Sequence, residues 1–178
     1  EVLSDKTKRR QYDAYGAATV LTGQSVVLLG FGVIGRRLAE LLRPFGIKIT
    51  AFRRHPGGEG EGVHVVDAAG LAAALAAADH VVNLLPENDE TRDFMDAARF
   101  AQLKPGARFY NIGRGTTVKQ AALMAALGSG RLDAAYLDVM EPEPLPPDHP
   151  LWKTPNCHLT CHIGGGTRVS IRSIAQTI

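Results

Sequence analysis

From residue 25 onward, short apolar runs alternate with longer stretches whose apolar residues recur at helical spacing. The apolar runs predict strands at 25–30, 47–52, 63–66, 80–85, 108–112, 134–139 and 158–160. The helical spacing predicts helices at 34–42, 71–78, 94–103 and 118–127, and a last one from residue 168 onward. Glycines and prolines separate these elements, and the segments 53–62 and 142–155 are therefore predicted to be loops.

Several predicted strands are apolar on both faces, which requires a sheet covered on both sides. Strands that alternate with helices in this way predict parallel pairing, and right-handed crossovers then give a doubly wound α/β fold. We assign residues 21–178 to one such domain. Residues 1–20 form a separate polar segment with a basic run at 6–10, which we interpret as a solvated helix that leads into the domain.

Composition narrows the class of protein. The 178 residues are 45% hydrophobic and 21% charged with a net charge of +2, an ordinary globular balance. That charge is too small for a nucleic-acid partner, and no apolar run approaches the roughly 18 residues of a membrane helix, so neither partner is expected. Two cysteines make no disulfide framework, which favours a reduced, cytoplasmic protein. The start at Glu1, without Met, suggests a piece of a longer chain.

The strongest motif follows the first predicted strand and reads Gly30-Phe31-Gly32-Val33-Ile34-Gly35. In this glycine loop, the first glycine permits a tight turn, the second lets a pyrophosphate approach the backbone, and the third lets the helix pack on the strand. The helix N-terminus then offers free N–H groups to the phosphates. The motif therefore predicts a Rossmann-type dinucleotide-binding domain.

Arg53 and Arg54 stand at the end of the second predicted strand, where such domains contact the adenosine ribose. A carboxylate there would bind the ribose hydroxyls and repel a 2′-phosphate, whereas an arginine matches a phosphate. We therefore expect NADP to be preferred over NAD. The alternative is that both arginines only solvate a loop.

Other candidate residues lie after the later strands, at the edge where open α/β sheets bind ligands. Arg114 stands between two glycines and is predicted to expose its guanidinium, on a mobile loop, to a carboxylate. Cys157-His158 and Cys161-His162 resemble a metal cluster, but residues four apart in a strand lie about 13 Å apart at about 3.3 Å per residue. We therefore expect no metal site and no disulfide there. The remaining histidines are expected to be structural or solvated: His55, His64, His80 and His149.

Taken together, these motifs resemble the D-isomer-specific 2-hydroxyacid dehydrogenase family, in its glyoxylate/hydroxypyruvate reductase branch. The resemblance covers about residues 20–178, the cofactor-binding domain of that family. The motifs that carry it are the glycine loop, Asn83-Leu84-Leu85-Pro86 with Thr91, Asn111-Ile112-Gly113-Arg114-Gly115, Leu137-Asp138-Val139 with Glu143-Pro144-Leu145, Pro150-Leu151-Trp152, and His162-Ile163-Gly164-Gly165.

The resemblance implies a catalytic set of Arg114, Glu143 and His162, with Glu141 set aside because Glu143 is the glutamate followed by Pro-Leu. It also implies that Asp138 contacts the nicotinamide amide. One departure is Cys161, which replaces the family's proline and is expected to loosen the loop that carries His162. Together, the loops and the resemblance predict these cofactor contacts: Gly30, Gly32, Val33, Ile34, Gly35, Arg53, Arg54, Leu84, Leu85, Pro86, Thr91, Ile112, Gly113, Arg114, Asp138, His162, Gly164 and Gly165.

The family's second lobe, which binds the substrate carboxylate, is absent from this chain. The leading hypothesis is a homodimeric reductase that converts small 2-oxo acids, glyoxylate or hydroxypyruvate, to 2-hydroxy acids with NADPH. One alternative is a dinucleotide-sensing binding module that resembles a corepressor. Another is a dehydrogenase for a different 2-hydroxy acid, such as phosphoglycerate.

Overall fold

The computed structural model describes residues 21–54 and 62–165. The predicted helix from residue 168, the segment 1–20 and His55 lie outside the described residues. Within them, the strands are β1 (Ser25–Leu29), β2 (Lys48–Phe52), β3 (Val63–Val66), β4 (His80–Asn83), β5 (Ala107–Asn111), β6 (Leu132–Leu137) and β7 (Cys157–Leu159). The α-helices are α1 (Val33–Leu42), α2 (Ala68–Ala77), α3 (Ala97–Gln102) and α4 (Gln120–Gly128). Three 3₁₀ turns cover 43–45, 115–117 and 150–153.

The described strands form one seven-stranded sheet in the order β3-β2-β1-β4-β5-β6-β7. Every neighbouring pair is parallel, which confirms the predicted doubly wound fold. The chain reverses its direction of winding between β1 and β4, and such a reversal is where sheets of this kind bind ligands. The loops after all seven strands consequently lie along one edge.

Alternating residues of β1 show how the sheet is buried on both faces. Val27 and Leu29 pack in a large apolar cluster with Leu71 and Leu75 of α2. The intervening residues of β1 pack in a second cluster with Ala39 of α1. Helices on both faces therefore bury the strands, as the continuous apolar runs predict. No helix among the described residues is long and apolar enough to cross a membrane.

The helices α1 and α4 begin within two residues of their predicted starts, whereas α2 and α3 begin three residues away, and in both an aspartate cap sets the start. The Asp67 side chain accepts hydrogen bonds from two backbone N–H groups, so α2 begins at Ala68 rather than at residue 71. The Asp96 side chain accepts from the Arg99 N–H, so α3 begins at Ala97 rather than at residue 94. The predicted starts were therefore wrong by three residues each.

Candidate active site at the carboxyl edge of the sheet

The glycine loop connects β1 to α1 at this edge. Gly30 has a φ of +103°, a conformation that favours glycine, and its N–H donates to the Phe52 carbonyl at 3.2 Å. A Cβ on Gly35 would lie 2.7 Å from the Gly30 carbonyl oxygen, so only glycine allows α1 to pack this closely. A Cβ on Gly32 would meet nothing within 4 Å, which leaves open space beside the start of α1. The loop thus has the turn, the packing contact and the open backbone that a bound pyrophosphate needs.

A cleft of about 360 Å³ opens beside this loop, and we call it the cofactor cleft. It brings together the predicted contacts from three loops, those after β1, β2 and β4. Its lining consists of Gly30, Phe31, Gly32, Phe52, Arg53, Arg54, Leu84, Leu85, Pro86, Asn88, Glu90, Thr91 and Phe94. Val33 and Ile34 stay outside this lining and are highly exposed at the start of α1, at 87% and 63%.

The loop after β4 forms one wall of the cofactor cleft and is fixed by its own side chains. The Asn88 Oδ1 accepts hydrogen bonds from the N–H groups of Glu90 and Thr91, both at 3.1 Å. The Thr91 hydroxyl is buried and donates to the Pro86 carbonyl at 2.6 Å. Thr91 therefore shapes the wall from inside the protein as well as lining the cleft.

The opposite wall carries the two arginines. Arg53 is half-buried, and its N–H donates to the Val66 carbonyl at 3.0 Å, which continues the β2–β3 ladder. Arg54 is exposed and forms an ion pair with Glu90 of the facing loop. Both arginines thus line the cleft, and Arg54 contacts its other wall. Their predicted contact with a 2′-phosphate stays a prediction.

A buried polar network joins the ends of β4 and β5. The Asn83 Nδ2 donates to the Asn111 Oδ1 at 2.9 Å and to the Thr117 hydroxyl at 2.6 Å. That hydroxyl and the Asn111 Nδ2 both donate to the Arg114 carbonyl, at 2.7 and 3.1 Å. All three network side chains are at most 1% exposed. The backbone of Arg114 is therefore fixed from within the protein.

Arg114 itself is exposed, as predicted, and its Nη1 donates to the Gly113 carbonyl at 2.7 Å. The glycines on either side serve close packing. A Cβ on Gly113 would lie 2.7 Å from the Leu85 carbonyl oxygen, and one on Gly115 would lie 1.8 Å from that of Met140. The loop is thus tightly packed, which contradicts the reading of its glycines as a sign of mobility. Ile112, before this loop, is 42% exposed.

Glu143 and His162 meet at the far end of the same edge. The His162 Nδ1 lies 2.9 Å from one carboxylate oxygen of Glu143, and the other oxygen accepts from the Met140 N–H at 2.9 Å. Burial acts to raise the pKa of Glu143, but these two hydrogen bonds and the charge of His162 outweigh it and leave that pKa below its usual range. The carboxylate is therefore ionised at neutral pH and holds the imidazole in a fixed direction.

A second cleft of about 350 Å³ lies beside this pair, and we call it the His162 cleft. It is lined by Met140, Glu143, Pro144, Leu145, Trp152, Leu159, Thr160, Cys161 and His162. The contacts of Met140 connect the loops of the edge, because its carbonyl packs on Gly115 while its N–H binds Glu143. Arg114, Glu143 and His162 are thereby carried by loops that contact one another.

Asp138 is buried directly after β6, and its carboxylate binds the chain's own donors. One oxygen accepts from the Thr160 hydroxyl at 2.6 Å and the Ile163 N–H at 2.9 Å, and the other accepts from the Gly164 N–H at 2.7 Å. Burial acts to raise the pKa of Asp138, but these hydrogen bonds outweigh it and lower that pKa. Asp138 therefore holds the loop after His162, and its predicted contact with a nicotinamide stays a prediction.

The hydrogen bonds of Asp138 also hold the turn that directly follows Cys161, the residue that stands where the family has a proline. His162 adopts a φ of +55°, which a non-glycine residue rarely adopts. The two N–H groups that bind Asp138 follow directly after His162, so they fix this turn. Gly165, the last predicted contact, is exposed next to them.

The two cysteines lie on β7 and two residues after it. Within 21–54 and 62–165, no group of three or more His, Cys, Asp or Glu side chains is arranged to hold a metal ion. Cys157 and Cys161 are both free thiols, and burial raises the pKa of Cys157 to about 11. The thiol of Cys157 is thus a neutral, half-buried side chain.

Fold and site together define a dinucleotide-binding α/β domain with a histidine–carboxylate pair at the same edge of the sheet. The family model that describes the D-isomer specific 2-hydroxyacid dehydrogenase NAD-binding domain matches residues 2–164. The chain belongs to this family and corresponds to its NAD-binding domain, which confirms the resemblance seen in the sequence.

Individual proteins that are similar to the chain carry names from the same family. The chain is 43% identical to glyoxylate/hydroxypyruvate reductase B of Citrobacter koseri over 79% of its own length and 44% of the relative's. An NADPH-dependent glyoxylate/hydroxypyruvate reductase of Sinorhizobium meliloti, solved with NADP and sulfate, superposes with a TM-score of 0.79 at 34% identity, over 94% of this chain and 58% of that one. A phosphoglycerate dehydrogenase of Lactobacillus plantarum gives 0.76 at 32% identity, over 93% and 59%. The chain spans about half the length of the curated relatives it matches.

Proposed function

We propose that the protein is a reductase of small 2-oxo acids, such as glyoxylate or hydroxypyruvate, and that it uses NADPH. The observation that carries this proposal is the His162–Glu143 pair at 2.9 Å, at the same sheet edge as the cofactor cleft. A proton donor beside a dinucleotide site is what reduction of a carbonyl group requires. The names of the Citrobacter and Sinorhizobium relatives support the substrate class.

The residues of the cofactor cleft fit a dinucleotide. Open space at Gly32 and the N-terminus of α1 suit the pyrophosphate, and the arginine wall suits the adenosine end. The nicotinamide, when bound, supplies the hydride. The loop at Ile112 would hold its ring together with Asp138 and Gly164, because that loop follows β5, between the strands of the cofactor cleft and those of the His162 cleft, and the other two residues lie at its His162 side.

The catalytic side chains then have separate tasks. The ionised Glu143 carboxylate accepts a hydrogen bond from the Nδ1–H of His162, so Nε2–H is the group that would give a proton to the carbonyl oxygen. The exposed guanidinium of Arg114 would pair with the substrate carboxylate and stabilise the charge that develops on that oxygen. The backbone of Arg114 is held by Thr117 and Asn111, so its position needs no ligand to form.

NADP preference is part of the proposal and rests on the arginine wall. An exposed guanidinium offers charge-assisted, bidentate bonds to a 2′-phosphate, and NAD has no group to receive them. The Sinorhizobium structure with NADP supports this choice. We further propose a cytoplasmic homodimer, in which a second lobe beyond this chain positions the substrate; the free cysteines support the compartment and the family resemblance supports the dimer.

The second candidate is a dehydrogenase for another 2-hydroxy acid, and the similarity to the Lactobacillus phosphoglycerate dehydrogenase favours it. This candidate function would use the same three catalytic side chains, so only the identity of the substrate distinguishes it from the glyoxylate/hydroxypyruvate reductase. The dinucleotide-sensing alternative has less support, since a sensor needs no proton donor and the His162–Glu143 pair is intact.

The deciding experiment is a substrate panel run on the full-length protein with NADPH and with NADH. We expect glyoxylate and hydroxypyruvate to give the highest kcat/KM, and NADPH to exceed NADH by about tenfold to a hundredfold, from about 1.5–3 kcal/mol for a charged hydrogen bond. Equal KM values for NADPH and NADH contradict the NADP preference. Binding of a dinucleotide without turnover of any 2-oxo acid supports the sensor instead.

A further inference from the structure

The mouth of the cofactor cleft is bridged by one ion pair. Arg54 comes from the loop after β2 and Glu90 from the loop after β4, and their charged groups are in contact. Both side chains line the cleft and both are more than half exposed, at 58% and 62%. The pair therefore lies at the solvent rim, where an ion pair is weak and readily exchanged for another partner.

Glu90 is held at this position by its backbone. The Asn88 side chain accepts the N–H groups of Glu90 and Thr91, and the Thr91 hydroxyl donates to the Pro86 carbonyl. This turn fixes the backbone of Glu90, and from there its side chain reaches Arg54 of the facing wall. A carboxylate anchored beside a cationic wall competes with any anion that enters the cleft for the guanidinium of Arg54.

We propose that Glu90 limits the preference of this site for NADP(H), which the arginine wall provides, by opposing the 2′-phosphate. This inference rests on the proposed function, in which the arginine wall receives the adenosine ribose. A 2′-phosphate and the Glu90 carboxylate compete for the guanidinium of Arg54, and as like charges they also repel each other. NAD(H) carries no 2′-phosphate and leaves the Arg54–Glu90 pair in place.

If Glu90 opposes the 2′-phosphate, removing its charge should raise the affinity for NADPH relative to that for NADH. Replacing Glu90 by Gln keeps the size and hydrogen-bonding capacity of the side chain but removes its charge. Arg54 then becomes available to the phosphate, and the repulsion disappears. A merely structural ion pair would instead leave the ratio of NADPH to NADH affinity unchanged.

Glu87 provides a matched control in the same loop. Its carboxylate also pairs with an arginine, Arg92 at 3.2 Å, and is 47% exposed. The lining of the cofactor cleft does not include it. Glu87→Gln therefore removes the same charge from the same loop without changing the rim.

The experiment measures dissociation constants of NADPH and NADH, and of adenosine 2′,5′-bisphosphate and AMP, for the unaltered protein, Glu90→Gln and Glu87→Gln. We expect Glu90→Gln to bind NADPH and the bisphosphate about threefold to tenfold more tightly, from the strength of an exposed ion pair and the removed repulsion. The dissociation constants of NADH and AMP should change by less than about twofold in Glu90→Gln. In Glu87→Gln, the dissociation constants of all four ligands should change by less than about twofold.

Two results overturn the inference while the proposed function stands. One is an equal change, or no change, for NADPH and NADH in Glu90→Gln. The other is weaker NADPH binding, which means that Glu90 presents Arg54 to the phosphate rather than competing with it. Failure of the unaltered protein to bind either dinucleotide is a different outcome, and it contradicts the proposed function together with this inference.

Discussion

The cofactor cleft and the His162 cleft lie along one edge of the sheet, but the chain builds them in different ways. The floor of the cofactor cleft is one continuous loop, in which Gly35 packs on the carbonyl of Gly30 only five residues earlier. The proposed catalytic side chains come from three separate loops, and Glu143 and His162 are 19 residues apart. The glycine-loop floor of the first cleft is therefore encoded locally, whereas its walls and the second cleft depend on contacts between distant segments.

The glycine loop and the loops of the His162 cleft are held in place by different kinds of contact. In the glycine loop they act on the backbone, through one positive φ and one close approach. At the catalytic end they act through side chains and shared backbone contacts: Gly115 packs on Met140, Met140 binds Glu143, and Glu143 binds His162. We therefore expect substitutions in the first region to change cofactor binding, and substitutions in the second to change turnover and stability.

The largest expected effect comes from His162→Gln in the full-length enzyme. The variant removes the proposed proton donor, so turnover should fall at least about a hundredfold, the usual contribution of a general acid. The dissociation constant of NADPH should stay within about twofold, because the cofactor cleft is unchanged. Steady-state kinetics and fluorescence titration measure the two quantities.

His158→Gln is the matched control for this substitution. His158 is exposed on β7 and stacks on Tyr136 at 4.7 Å between ring centroids, outside both clefts. The turnover of the His158→Gln variant should stay within about twofold of that of the unaltered protein. If His162→Gln kept more than about a tenth of the unaltered rate, His162 would be ruled out as the proton donor.

Gly115→Ala should produce the next largest effect, on stability. Its Cβ would lie 1.8 Å from the Met140 carbonyl oxygen, which is backbone and cannot rotate away. We expect the free energy of unfolding to fall by about 3 kcal/mol or more, measured by urea denaturation. The control is Gly128→Ala in the last turn of α4, where a Cβ meets nothing within 4 Å and stability should be equal or slightly higher. Equal stability of the two variants would contradict the tight packing of the Arg114 loop.

The fold and the cofactor cleft could be predicted from the sequence because their signals are local. Continuous apolar runs indicate buried parallel strands, and the glycine spacing places the phosphate loop after β1. The predictions of where the helices begin were less accurate, since the apolar spacing does not show where Asp67 or Asp96 caps a helix. The histidine–glutamate pair came from the family resemblance, and no spacing in the sequence implies it.

Sequence reasoning missed the side chains that hold the site. Asn83 and Asn111 each end a buried strand and are register partners, so an asparagine at two successive strand ends was an available signal for the network. Thr117, Thr160 and Glu90 gave no such signal. Their partners lie 34, 22 and 36 residues away, and only the folded structure brings them together.

Asp138→Asn should have an intermediate effect that depends on pH. The variant cannot accept all three hydrogen bonds that the carboxylate accepts, so we expect a loss of about 2 kcal/mol of unfolding free energy at pH 7. The fold lowers the pKa of Asp138 from its ordinary value of 3.8, so this stabilisation is present above that value and is lost as the pH falls through the lower folded value.

The difference in stability between the unaltered protein and Asp138→Asn should therefore be constant from pH 8 to pH 5 and shrink below about pH 4. Denaturation midpoints across this range measure it. A difference that grows on acidification would contradict the assignment of these hydrogen bonds to the ionised carboxylate.

The smallest of these effects concerns the arginine wall and tests the local character of the cofactor cleft. Arg53→Ala should weaken NADPH binding about tenfold and NADH binding by less than about twofold, because only NADPH carries the phosphate that a guanidinium binds. The loss should shrink at high salt, because dissolved ions screen the attraction between the guanidinium and the phosphate. Arg37→Ala is the control, since Arg37 pairs with Glu40 on the exposed face of α1 at 2.8 Å. Equal weakening of both cofactors by Arg53→Ala would show that Arg53 supports the cleft as a whole and does not recognise the 2′-phosphate.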